Sequence, residues 1–442
     1  MWLLSFVYER FKFIGGSMAY STINKSTANF DIKLYSGTSG TINVTGLSFQ
    51  PDWCWLKNRS TANRHALFDS VRGATKRLRT DGSEAQVADA DTLTSFNSDG
   101  FTVGADSASY GANSNGHNFV SWNWLAGGAS PSQTYTVKVV SDSGNKYRFD
   151  DFGSSAVTLD LQEGGTYTFD QSDSSNSGHP LRFSTTSNGT HGGGSEYTTG
   201  VTTSGTPGSS GAYTRITVAS GAATLYYYCT NHSNMGGQAN TNSTHGSSNF
   251  NGTTQSLVSA NTTAGFSVIQ YTGNGTAGAT VGHGLGATPS MIIIKNLDTS
   301  SSANWSVHHK EVYVSQSDPN ILYLNTTAAT ADDVNVLGNS SVTINSNVFS
   351  LGDYSGTNKN NSPIIAYCFT DITGYSKFGT YSGNGNADGP FVYLGFKPKF
   401  LMVKGYAGSD DWIMMDDKRS GYNSENEYFD ANNNTGEADG SG

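Results

Sequence analysis

The chain repeats itself, and this limits the possible folds of its 442 residues more than any other feature. One copy reads Gly46-Leu47-Ser48-Phe49-Gln50-Pro51, followed by Asp52-Trp53-Cys54-Trp55-Leu56-Lys57. A second reads Gly284-Leu285-Gly286-Ala287-Thr288-Pro289, then Ser290-Met291-Ile292-Ile293-Ile294-Lys295. A third reads Tyr393-Leu394-Gly395-Phe396-Lys397-Pro398, then Lys399-Phe400-Leu401-Met402-Val403-Lys404. In each, a proline opens an apolar run and a lysine closes it. Proline suits the first residue of a strand, and a short apolar run between turn signals reads as a buried strand. A second pattern recurs twice: Phe96–Gly104 matches Ile344–Gly352, and Phe119-Val120-Ser121-Trp122-Asn123-Trp124 matches Ile364-Ile365-Ala366-Tyr367-Cys368-Phe369. Repeats of this length are supersecondary units that bury their apolar faces against neighbours.

The expected layout is an N-terminal arm over residues 1–34 and β repeats over 35–128 and 266–375, with a partial repeat over 378–442 that lacks its closing strands. Either the sequence stops short there, or a neighbouring molecule supplies what is missing. Residues 133–238 belong to none of the repeats and form an inserted domain. Residues 239–265 carry no Lys, Arg, Asp or Glu, and read as a polar flexible linker.

Composition agrees with an all-β chain. Only 14% of residues are charged, against 53 glycines and 12% aromatics, which excludes a coiled coil or a charged disordered tail. The net charge of −10 argues against nucleic acid as a partner. Three cysteines far apart in sequence, Cys54, Cys229 and Cys368, do not make a disulfide scaffold. Cys54 falls where the other repeats have Ile292 and Leu401, and reads as a small apolar filler; Cys368 sits where the first copy has Asn123, and neither reads as functional. No run approaches the length of a membrane helix. The apolar start Trp2–Tyr8 ends at Glu9-Arg10 and does not read as a signal peptide; Met1 and Met18 are both candidate starts.

The inserted domain holds the sharpest local signal. In Tyr226-Tyr227-Tyr228-Cys229-Thr230-Asn231-His232-Ser233-Asn234-Met235 an aromatic strand delivers a cysteine, and a tight loop returns a histidine and a methionine. Gly178-His179-Pro180-Leu181 offers a second imidazole at the head of another strand. Thiolate, two imidazoles and a thioether form the blue-copper ligand set, with methionine as the weak axial member. These residues resemble the cupredoxins, especially amicyanin- and plastocyanin-like proteins. The resemblance implies a Greek-key β-sandwich in which His179, Cys229, His232 and Met235 bind copper. Two positions depart from it. Cupredoxins often place an asparagine after the first histidine, bonding across to the cysteine loop, where Pro180 stands here. They often place proline before the second histidine, where this chain has Asn231. Groups of this kind set ligand orientation. The alternative is the same sandwich without metal. His283, His308 and His309 read as structural residues, and His191 as a loop residue able to approach the site.

Seven basic residues between Lys57 and Arg79 read as a solvated strand-and-turn face rather than a phosphate site. Asn-x-Ser/Thr triplets such as Asn325-Thr326-Thr327 read as accidents of composition. No nucleophile elbow, Walker loop or zincin motif is present, and the chain does not read as an enzyme. The repeat motif resembles a domain of unknown function in tail-fibre-like and other virion surface proteins of marine bacteriophages. That resemblance implies a structural component of a virion appendage, assembled in the host cytoplasm and involved in host attachment. Its partners would be other virion proteins and a host-surface receptor, and it would form a homo-oligomer, a trimer by analogy with phage fibres. The other reading is a copper-binding redox or copper-capture protein at a cell or virion surface.

Overall fold

A computed structural model describes residues 21–108, 111–298, 303–312, 320–338, 342–386, 388–419 and 426–439. The fold is all-β and built of sandwich-like sheets, as expected. Residues 1–20 of the expected arm lie outside the described residues. The rest of that expectation is corrected by the first strand, Phe30–Ser36, which is integral to the first repeat.

In that repeat Phe30–Ser36 and Trp53–Asn58 both pair antiparallel with the closing strand Asn118–Trp124, and Ala66–Asp69 extends the sheet. A three-stranded sheet, Ile42–Val44, Gly100–Val103 and Leu93–Asn97, covers one face. Between them lie Cys54, Leu56, Phe68, Phe101 and Val103. The second repeat copies the plan. Phe266–Thr272 and Met291–Asn296 flank the closing strand Pro363–Phe369, and Ser306–His309 and Asn320–Tyr323 follow. Ile292, Ile294 and Phe349 fill its sandwich. Among the described residues the third repeat has the strands Phe400–Lys404, Trp412–Asp416, Glu427–Asp430 and Ala438–Asp439.

The three main sheets turn their other faces toward one another. Strand alternation puts successive side chains on opposite faces, so Cys54 and Leu56 enter the first sandwich while Trp53 and Trp55 enter a core shared by all three repeats. Trp122, Ile293, Val307, Tyr367, Met414 and Phe429 meet there.

Equivalent hydrogen bonds close the three repeats into a ring. The lysine ending each apolar strand reaches a carbonyl in the next repeat: Lys57 to Asn434 (3.3 Å), Lys404 to Thr327 (2.9 Å) and Lys295 to Ser83 (2.8 Å). A ring nitrogen repeats the link one strand away. His65 lies against the Asp430 carbonyl (3.1 Å), Trp412 donates to Tyr323 O (3.0 Å) and Trp305 donates to Arg79 O (2.8 Å). The strand registers make His65, Trp305 and Trp412 equivalent, as they do Arg79, Tyr323 and Asp430. The first repeat therefore grips the third, the third grips the second, and the second grips the first. The three repeats are thus linked in a closed cycle within one chain.

The expectation of a solvated basic face is corrected. Lys57, Arg72 and Arg77 are buried, and the arginines are paired: Arg72 with Asp69 (2.5 Å), Arg77 with Asp89 (2.6 Å), Arg64 with Asp81 (2.8 Å) and Arg59 with Glu437 (2.8 Å). Buried cations require such partners. Three of these acids lie within 17 residues of their arginines and only Glu437 is remote, but spacing across turns does not mark which acid will be buried with which arginine.

Burial also sets a pH dependence. It holds His65 well below the ordinary histidine range and lowers His283, His308 and His309, His308 to about 4. These rings stay neutral in the fold but protonate in the unfolded chain near pH 6.5. The unfolded state then binds more protons, so stability falls as pH drops from 6.5 toward 4. For His308 alone the shift corresponds to about 3 kcal/mol at most. Thermal midpoints measured from pH 7 to 4 should fall through this window, and His308→Gln should flatten the slope; a pH-independent midpoint would contradict the argument.

The inserted domain is a two-sheet sandwich. One sheet runs Asn145–Phe149, Ser132–Ser141, Thr166–Asp170, Tyr213–Thr217, Val201–Ser204, and the other Leu159–Gln162, Gln238–Asn242, Leu225–Cys229, Leu181–Ser184. Its core includes Tyr135, Phe149, Phe169, Phe183 and Tyr227, and extends to Phe250, past the expected boundary at 238. The flexible linker expected over 239–265 is corrected too. Gln238–Asn242 runs parallel to Leu159–Gln162, and Ser256–Asn261 pairs with Phe266–Thr272. Its polar side chains are bound inside: Tyr167 Oη meets Ser247 Oγ (2.6 Å), and Ser248 Oγ accepts from Asp160 N (2.8 Å).

Asp52 ties both junctions of this domain to the ring. Its Oδ2 accepts the amides of Ala126 (2.7 Å) and Gly128 (3.1 Å) on the way in. Its Oδ1 meets Ser70 Oγ and His245 Nδ1 (both 2.5 Å) on the way out.

Candidate metal centre

The site forms where two loops leave paired strands of the inserted domain. Leu181–Ser184 lies antiparallel to Leu225–Cys229 with Leu181 opposite Cys229, which carries His179 to the same end as the cysteine. Gly178 takes φ +77°, a conformation open to glycine without steric cost, and the amide of His179 donates to Asn176 O (2.8 Å). After Cys229 the chain turns back. Asn234 sits at φ +61°, its amide held by Asn188 Oδ1 (2.7 Å), and Met235 returns to the sheet with its carbonyl accepting from Tyr147 N (3.0 Å).

The result gathers the expected side chains. Cys229 Sγ lies 3.8 Å from His179 Nδ1 and 3.7 Å from His232 Nδ1. The imidazole centroids are 4.5 Å apart, and the three donor atoms fall within 4.8 Å of one another. Cysteine is buried, His179 half-buried and His232 exposed. Met235 is buried in the domain core and shares an open cleft of about 490 Å³ with His232 and His191.

These distances fit a single ion. Nitrogen and sulfur donors bonded at about 2.05 and 2.3 Å stand about 3.6 Å apart at a tetrahedral angle and about 3.8 Å at a trigonal one. Burial, then the neighbouring His232, lowers the pKa of His179, favouring the neutral imidazole that a metal requires. Burial and the adjacent Cys229 sulfur raise the Tyr147 hydroxyl well above its usual range. That hydroxyl donates to His179 O (2.9 Å), which also accepts from Gln171 Nε2 (2.8 Å).

The two departures from the cupredoxin pattern meet in one place. Asn231 Nδ2 donates to Gly178 O (2.9 Å), and the Thr230 amide donates to Pro180 O (3.2 Å). The cross-loop tie that an asparagine after the first histidine would make is formed from the cysteine side. His191 does reach the site: its Nε2 lies 3.0 Å from the carbonyl of Cys229. Its position in a glycine-rich loop marks it as able to approach the site, though not which atom it would meet. His283, His308 and His309 lie in the ring, and Cys54, Cys229 and Cys368 are free thiols.

A family model described as "Domain of unknown function (DUF7483)" matches residues 25–147 and 222–442. The match takes in Cys229, His232 and Met235, whereas His179 falls in the unmatched stretch. No curated protein and no solved structure matches the chain. Among the described residues no helix is long and apolar enough to cross a membrane.

Proposed function

The chain belongs to the DUF7483 family, whose model matches more than three quarters of its length, and we propose, from the resemblance of its repeat motif, that it is a structural component of a bacteriophage virion appendage. In this reading the β ring is a platform, and the inserted domain is a cupredoxin-type copper module held at the virion surface, where it takes part in host attachment. The resemblance of the repeat motif to virion surface proteins supports the appendage. The observation that carries the copper module is the convergence of His179, Cys229 and His232 on one point, beside the buried Met235. Copper would be held by these four side chains and would supply a one-electron redox couple, or simply stabilise the native domain by binding it selectively.

Antibodies against the inserted domain test the first part. They should decorate intact particles in electron micrographs, and purified particles free of this chain would refute it. The second reading, redox exchange or copper capture at a surface, is favoured by the exposure of His232, which gives the site an edge in solvent. A measured copper potential and electron exchange with a soluble carrier would separate this from a purely structural metal.

Asn231 provides a local test. Removing its tie to Gly178 in Asn231→Ala should leave the blue colour but weaken copper binding by roughly 10-fold, the scale for groups that orient ligands. Competition titration against a chelator measures this; unchanged affinity would show that the tie does not orient the ligands.

A further inference from the structure

Among the described residues, two of the three repeats hold a closing strand between their first and central strands, and the third does not. Trp53–Asn58 and Met291–Asn296 are each paired on both edges, one edge always by the closing strand. Phe400–Lys404 is paired only with Trp412–Asp416, which leaves a row of backbone donors and acceptors open. Tyr381-Ser382-Gly383 matches Tyr35-Ser36-Gly37 and Tyr271-Thr272-Gly273, where the first strands of the other repeats end, yet residues 376–382 form no strand. Tyr271 is buried whereas Tyr381 is 52% exposed, and Leu401, equivalent to the fully buried Cys54 and Ile292, is 41% exposed. Both walls of a slot one strand wide are present.

The chain carries the closing pattern a third time. Apolar, apolar, small, aromatic, any residue, aromatic describes Phe119–Trp124 and Ile364–Phe369, and again Leu3-Leu4-Ser5-Phe6-Val7-Tyr8, which lies outside the described residues. Two observations fit this segment to the slot. Ser21 lies against Gly374, and the Phe30 ring is 5.9 Å from that of Phe400, so the chain leaves the described residues beside the third repeat. Residues 9–20 span up to about 40 Å when extended, ample to reach the slot.

The second observation is what each closing strand meets across the ring. Trp122 Nε1 donates to Asp416 Oδ2 (3.0 Å) and Tyr367 Oη to Asp69 Oδ2 (2.7 Å). Each carboxylate is paired with an arginine three residues on, Arg419 (2.6 Å) and Arg72 (2.5 Å). The registers that place Asp69 opposite Trp53 and Asp416 opposite Phe400 place His309 opposite Met291, and Val312 stands where the arginine would be. The carboxylate–arginine pair is thus present at the two positions where the arriving aromatic brings a donor. At the remaining position it is absent, and Phe6 brings none. His309 already faces the Phe378 ring there, 6.4 Å between centroids.

We propose that Leu3–Tyr8 of the same chain is the closing strand of the third repeat, antiparallel to Phe400–Lys404. Tyr8 then lies opposite Phe400, Val7 opposite Leu401, Phe6 opposite Met402 and Ser5 opposite Val403. Phe6 enters the core shared by the repeats beside His309. The last repeat is completed by a segment that precedes the first, so the ring cannot open without breaking that pairing.

The test uses the full chain carrying Val7→Cys and Leu401→Cys. In both complete repeats the equivalent pair is non-hydrogen-bonded, the kind whose side chains stand closest. Mild oxidation should link the two introduced thiols within one chain, read by mass spectrometry of the digested monomer. Ser5→Cys with Leu401→Cys, two residues out of register, should link little. In the otherwise natural chain Phe6→Ala should lower the melting midpoint of the ring by roughly 5–10 °C, the scale for truncating a buried aromatic in a unit this large, and leave the transition of the inserted domain in place. A link between two chains would assign the slot to the segment of a second copy. That result, no link, equal linking in the two registers or an unchanged midpoint would each overturn the proposal.

Discussion

Cys229→Ser should abolish the intense blue absorption that the intact chain develops on adding copper(II), and lower its copper affinity by more than about 100-fold. The thiolate is the buried member of the cluster, 3.7–3.8 Å from both imidazole nitrogens, and the colour arises from sulfur-to-copper charge transfer. A serine hydroxyl has neither the charge nor the softness to replace it, and loss of a direct ligand should exceed the 10–100-fold typical of outer groups. His179→Ala should act in the same direction. Met235→Leu should keep the colour and shift the reduction potential, because an axial thioether bonds weakly and tunes the centre. Visible absorption and circular dichroism on the same samples make the result decisive. If the intact chain folds yet stays colourless with excess copper under oxidising conditions, the blue-copper reading fails and the domain is a sandwich without that centre.

Trp53→Ala should be the most damaging single change in the ring. Trp53 is 2% exposed, and its ring lies 4.5 Å from Trp124 in its own repeat and 4.7 and 5.7 Å from Tyr367 and Phe266 in the second. Truncating a buried tryptophan costs about 3–5 kcal/mol, which for a unit this large lowers the melting midpoint by roughly 5–10 °C. The effect should not stay in the first repeat. Because all three repeats share one core, calorimetry should show them melting together at the lower temperature. The inserted domain, with its separate core around Phe149 and Phe169, should keep its own transition. Leu34→Ala, at a position 43% exposed, should change stability by less than about 0.5 kcal/mol. Separate melting of the second repeat at its original temperature would show that the shared core does not couple them.

Much of this architecture was legible in the residues. The proline-to-lysine period located the three central strands, and the aromatic strand before Cys229 located the loop that holds His232 and Met235. The recurrence of Cys54 and Ile292 at one position identified residues that face a sandwich, whereas Leu401 at the same position is 41% exposed. What escaped were relations between repeats. Lys57, Lys295 and Lys404 mark strand ends in sequence, but their work is to reach carbonyls of another repeat, and no local pattern encodes which carbonyl. Arg72 and Arg77 looked solvated because Asp69 and Asp89 become their partners only after folding. Residues 239–265 looked like a linker because periodicity arguments count apolar side chains, while the buried groups there include Ser247, Ser248 and Asn249, held by hydrogen bonds. The approach of His191 to the site was legible, but its partner, the Cys229 carbonyl, was not, because that contact depends on two loops meeting.

The single carboxylate that receives both junctions of the inserted domain has a mechanical consequence. A module joined to its base by one strand can swivel, and a pull on it stretches only the tether. With Ala126 and Gly128 held by one oxygen of Asp52 and His245 by the other, the two junctions form a couple separated by the width of one side chain. A sideways load on the far end of the inserted domain then reaches the ring through both junctions together. Removing that one carboxylate, as in Asp52→Ala, should therefore loosen both junctions at once.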